Sequence, residues 1–146
     1  KTNQSILYNY AVKLHKENKI AEAISAYKGV VSTNSENVDA YVNLAICYAS
    51  QNDYKNAELQ IRIAIEVKSD FEKAYELLSQ ILYMQEKYND VIDISDYLIS
   101  RNRNNSNAWY TKGYENVSLS TLMKISKLFK ITLEELLNET HLYSAD

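Results

Sequence analysis

The sequence predicts an all-α chain, a stack of paired helices, and three observations carry that expectation. Proline is absent and only two glycines occur among 146 residues, so little interrupts helix. Runs of alternating polarity, the mark of strands, are scarce. The chain also repeats itself: Glu17–Ala23 aligns with Gln51–Ala57 and with Gln85–Val91, an offset of 34 residues each time (17 to 51 to 85).

Each copy carries two apolar stripes at helical spacing. The first stripe is Leu7, Tyr10, Ala11 and Leu14, then Tyr41, Leu44, Ala45 and Tyr48, then Tyr75, Leu78, Ser79 and Leu82. The second is Ala23, Tyr27 and Val30, then Ala57, Ile61 and Ala64, then Val91, Ser95 and Leu98. Small residues at Ala11, Ala45 and Ser79 on the first helix, and at Ala23 and Ala57 on the second, let two backbones approach closely. A single pair leaves its apolar face wet, so the pairs are expected to stack and bury a continuous core.

This period, with its order of large, small and aromatic positions, resembles the tetratricopeptide repeat. The resemblance implies a right-handed α-solenoid with units at about residues 4–37, 38–71 and 72–105, and a degenerate fourth at 106–116, together a repeat domain over 1–116. Ser35, Ser69 and Arg103 stand where the family closes each repeat with proline, so helix ends must be set by other means. Ser69 with Glu72 reads as a capping box. Val91 and Ser95 depart from the alanine and aromatic of the pattern, which makes the third unit the least regular.

The fourth unit starts with Trp109 and Gly113 in the large and small positions, then fails at Asn116. Residues 117–146 are expected to form a C-terminal helical cap: one helix over 119–130 behind Ser118, another over 133–138 behind the Thr132 and Glu135 capping box. The stretch from Val117 to Leu137 resembles the closing half of a phage-repressor-type helix-turn-helix domain, without the helix that enters the major groove. A cap over the open end of the solenoid is the preferred reading, through Leu122, Ile125, Phe129, Leu133, Leu136 and Leu137. A homodimer through these same C-terminal helices is the alternative.

Composition narrows function. A net charge of -3 lacks the positive field that draws proteins to phosphate backbones, which disfavours nucleic acid. The single cysteine, Cys47, excludes an intramolecular disulfide and points to a reducing, cytoplasmic setting. No apolar run reaches the ~20 residues that span a bilayer. His15 and His141 stand in no metal-ligand spacing with Cys47, and neither a phosphate-cradling glycine loop nor a nucleophile elbow occurs. No enzyme and no cofactor are expected.

Binding remains. The resemblance places the first helix of each pair along a concave groove, which assigns Tyr8, Asn9, Val12, Val42, Asn43, Ile46, Lys73, Glu76, Leu77, Gln80, Tyr110 and Thr111 to its lining. Asn9, Asn43 and Gln80 can bond a main chain, and Tyr8, Val42, Ile46 and Leu77 can receive side chains. One subset of the family clamps the C-terminal carboxylate of chaperones with five basic and amide residues. Asn43 and Lys73 match that clamp, whereas Tyr8, Val12 and Leu77 replace a lysine, an asparagine and an arginine. Too few charge-assisted bonds remain to offset a carboxylate's desolvation. The expected function is a non-catalytic adaptor or scaffold that binds a peptide or protein segment; the alternative is a regulatory repeat domain of a peptide-responsive, helix-turn-helix transcription regulator.

Overall fold

A computed structural model of the protein describes residues 2–101, which form six α-helices: α1 Thr2–Lys16, α2 Ile20–Thr33, α3 Val38–Ser50, α4 Tyr54–Val67, α5 Glu72–Met84 and α6 Tyr88–Arg101. No strand occurs among the described residues. The chain divides into two compact units, Lys1–Gln85 and Glu86–Asp146. The partial fourth repeat and the C-terminal cap lie outside the described residues.

Without proline, the backbone turns each pair by a left-handed residue. Asn18, Asn52 and Glu86 have φ of 59°, 61° and 64°, and they recur at the 34-residue offset. Around the first, the Asn18 amide donates to the His15 carbonyl at 3.0 Å and the Lys19 amide to that of Leu14 at 2.9 Å. Around the second, Asn52 donates to Ala49 at 2.9 Å and Asp53 to Tyr48 at 3.0 Å. Both are Schellman closures, which satisfy carbonyls that a helix end otherwise orphans. Asparagine tolerates this conformation, but glutamate carries the Cβ penalty in full. Glu86→Gly is therefore expected to raise stability by about 1 kcal/mol, read as an upward shift of the urea midpoint. A downward shift would mean that contacts of the Glu86 side chain outweigh its strain.

Between pairs the chain instead extends: Asn34 (φ -143°) and Lys68 (φ -138°) end α2 and α4 at equivalent positions. Side chains start α3, which follows such an extension, and α4, which follows the left-handed turn at Asn52. The Asn37 side chain accepts from the Ala40 amide at 3.0 Å, and Asp53 accepts from that of Asn56 at 3.2 Å. The capping box expected at Ser69 and Glu72 is corrected by the structure. Helix α5 begins at Glu72, with Phe71 as its N-cap and no side-chain cap hydrogen bond, so Glu72 opens the first turn rather than standing three positions inside it. The exposed residues 68–70 are spent on a turn closed by the Phe71 amide on the Lys68 carbonyl at 3.3 Å.

In the first unit α2 packs between α1 and α3, and α4 between α3 and α5. Ala11, Leu14, Ala23, Ile24, Tyr27, Val30, Ala40, Leu44 and Cys47 form one buried cluster from the first three helices. Small residues set the spacing as expected: Ala11, Ala23, Ala45 and Ala57 are fully buried. At Gly29 a Cβ would stand 3.3 Å from Leu7 Cδ2, so α1 and α2 approach tightly there as well.

One stripe residue departs from expectation. Tyr10 is 52% exposed, whereas Leu44 and Leu78, which occupy its position in the next two repeats, are each 1% exposed. Leu44 is covered because α2 packs on α3, and no described helix precedes α1. In the second unit Val91, Ser95 and Leu98 of α6 are buried as the stripe predicts. Ser95 is tolerated where the pattern wants an aromatic because its hydroxyl donates to the Val91 carbonyl at 2.8 Å.

Candidate functional site

The first helices of successive pairs meet through a polar contact. The Asn43 side-chain amide on α3 donates to the Tyr8 hydroxyl on α1 at 3.0 Å, thirty-five residues apart in sequence. Both side chains are half-buried. Beneath them lies Tyr27 of α2, fully buried, its ring centroid 6.1 Å from that of Tyr8 and 6.2 Å from that of His15, the latter edge-on. Its hydroxyl makes no hydrogen bond of good geometry, although Asn43 is close enough to act on it. Burial, followed by Cys47 and Tyr8, pushes the Tyr27 phenol well above its ordinary pKa. Burial and then the Asp39 carboxylate raise that of Tyr8, partly opposed by the Asn43 hydrogen bond.

The other residues assigned to the groove divide by exposure. Val12 is half-buried and packs on the first-unit core with Tyr8. Val42 and Leu77 are also half-buried, while Asn9, Ile46 and Gln80 are exposed. Lys73 reaches Glu76 one turn along α5, with 3.2 Å between Nζ and Oε2. Tyr110 and Thr111 lie outside the described residues.

An open cleft of about 510 Å³ lies at the α1 end of this surface, lined by Gln4, Ser5, Tyr8 and Asn9 of α1 with Asn34 and Asn37 of the α2–α3 linker. Tyr8 and Asn9 were expected there; the other four were not. The sequence signal was weak, because the linker residues fall outside the helical stripes and Gln4 and Ser5 sit at the helix start. Gln4 ties the cleft wall together, its amide donating to the Thr33 carbonyl at 3.3 Å.

Cys47 faces the core between α2 and α3 rather than this surface. Burial pushes its thiol from an ordinary 9.0 up to about 11. A thiol whose folded pKa exceeds its unfolded one stabilises the fold fully below the unfolded value. That contribution is lost as pH rises through the folded value, here between about 9 and about 11. Cys47→Ala is expected to flatten the decline in melting temperature over that interval; an unchanged slope would assign the decline to other groups. No group of three or more His, Cys, Asp or Glu side chains able to hold a metal occurs among the described residues. No described helix is long and apolar enough to cross a membrane.

Residues 14–81 match the tetratricopeptide repeat family model. The helix pairs within that span are thus similar to tetratricopeptide repeats. The tetratricopeptide fold is shared with solved structures at low identity. A tetratricopeptide repeat protein from Parabacteroides merdae superposes with a TM-score of 0.75 at 16% identity, over 84% of this chain and 46% of that one. The first tetratricopeptide domain of Spaghetti (RPAP3), solved with an HSP90 peptide, gives 0.66 at 21%, over 72% of this chain and 83% of that one. The second such domain of human RPAP3, solved with an HSP70 peptide, gives 0.67 at 21%, over 73% and 90%. No curated protein matches the chain.

A second family model, the Cro/C1-type helix-turn-helix DNA-binding domain, matches residues 97–139. It begins twenty residues before Val117, where the sequence reading placed the resemblance. It therefore takes in Trp109 and Gly113, the residues also read as the start of a degenerate repeat.

Proposed function

We propose that the protein is a non-catalytic interaction module of the cytoplasm whose tetratricopeptide surface binds a peptide or protein segment, in an adaptor or scaffold role. The Asn43 to Tyr8 hydrogen bond carries this reading. It joins inner positions of the first two repeats, which supports a shared binding surface whose polar groups bond a main chain and whose Val42, Ile46 and Leu77 receive side chains. The peptides held by the RPAP3 domains support the general mode. Affinity capture with the full chain, repeated with Asn43→Ala plus Lys73→Ala, tests it. Partner loss from a variant that still melts like the parent is the expected result, and capture unchanged by the substitutions would refute the surface.

The ligand differs in kind from the acidic chaperone tails. Of the two clamp positions that match, Asn43 gives its amide to Tyr8 and Lys73 is paired with Glu76. A free acidic C-terminal peptide of sequence SGPTIEEVD, the HSP70 peptide of the RPAP3 complex, is expected to show no saturable heat in a calorimetric titration. Binding tighter than about 100 μM would overturn this.

The helix-turn-helix match at residues 97–139 favours a second reading, in which the repeats regulate a DNA-binding segment of the same chain. It requires retardation of duplex DNA that falls steeply as salt rises. Absence of any shift at low salt would eliminate it.

A further inference from the structure

We propose that the cleft between α1 and the α2–α3 linker seats a lysine or arginine side chain of the bound segment, so that the protein selects basic rather than acidic peptides. This rests on the peptide-binding reading and names its ligand chemistry. All six lining residues are uncharged and polar, and their side-chain oxygens suit a donor-rich ammonium or guanidinium. The Oδ1 atoms of Asn34 and Asn37 each accept one backbone amide, from Glu36 at 3.2 Å and Ala40 at 3.0 Å, and each carbonyl oxygen keeps a second lone pair.

The fixed charges nearby are negative. Glu36 stands in the linker between the two lining asparagines, and Asp39 in the first turn of α3 acts electrostatically on Tyr8. No lysine or arginine occurs between Thr2 and Val12 or along α3. The cation of α5, Lys73, is matched by Glu76. An acidic segment entering here would meet like charge, with no cation among the described residues of α1 before Lys13 or of α3 to receive it, whereas a basic one meets complementary charge. The cavity volume accommodates one long side chain with part of its flanking main chain.

Tyr8 supplies a reason why a cation is accepted at little cost. The Tyr8 oxygen now takes its hydrogen from Asn43. A hydroxyl oxygen has two lone pairs, so one remains for a ligand cation while the Asn43 bond stays in place.

Selection of a phage-displayed random dodecapeptide library on the full chain tests the proposal. Recovered peptides are expected to be enriched about threefold in Lys and Arg over the input and depleted in Asp and Glu, with affinity falling as salt rises. Asp39→Asn and, separately, the exposed-site variant Asn9→Ala are expected to erase the enrichment while leaving the melting temperature unchanged. Peptides without basic enrichment, or enrichment that survives both substitutions, would overturn this inference and leave the interaction reading standing. Recovery of no peptide at all would overturn both.

Discussion

Tyr27→Ala is expected to destabilise the fold by about 3–5 kcal/mol, while Tyr27→Phe is neutral or stabilising. The ring is fully buried at the junction of α1, α2 and α3, against Tyr8 and His15, and belongs to the first-unit core. Removing it leaves a cavity that the helices cannot fill without giving up the close approach fixed by Ala11, Ala23 and Gly29. The hydroxyl contributes little that favours folding, since it is buried without a hydrogen bond of good geometry. Urea unfolding followed by circular dichroism checks both variants. A loss of more than about 1 kcal/mol for the phenylalanine variant would show that the hydroxyl is served in solution.

The second large effect contrasts two residues at one repeat position. Leu44→Ala is expected to cost about 2–5 kcal/mol, whereas Tyr10→Ala stays within about 0.5 kcal/mol. Leu44 is 1% exposed because α2 covers it, and Tyr10 is 52% exposed. Equal losses would mean that Tyr10 is covered in solution by something that α1 to α5 do not provide.

The paired helices were legible in the sequence because two signals agreed. The 34-residue offset sets the repeat, and the stripes within each copy set which faces are apolar. Ala23, Tyr27, Val30, Ala57, Ile61 and Ala64 are all buried as the stripes require. The capping box at Ser69 was misread because a serine followed three residues later by a glutamate also occurs in turns, and nothing local to Ser69 reveals that the helix waits until Glu72. The left-handed turns were harder to see. Asparagine at 18 and 52 hints at them, but Glu86 carries no such hint and takes its φ of 64° from the closure of the pair around it.

The candidate site was legible in outline only. The family resemblance assigned Tyr8, Asn9, Asn43 and Lys73 to the lining of a groove. Which of them would bond to each other depends on side-chain reach between separate helices, and periodicity is silent about that. The cleft adds Gln4, Ser5, Asn34 and Asn37, two of them from a linker with no period at all.

By itself the sequence determined that this chain folds as helix pairs and which face of each helix turns inward, because 3.6-residue periodicity and small residues are properties of the chain alone. Tertiary structure decided what becomes of those faces. It joined Tyr8 to Asn43, left Tyr27 without a hydrogen-bond partner in the core, shaped the cleft beside α1 and kept Tyr10 wet while covering Leu44. Burial is a relation between neighbours, so two residues at the same repeat position part company wherever only one of them has a helix to lean on.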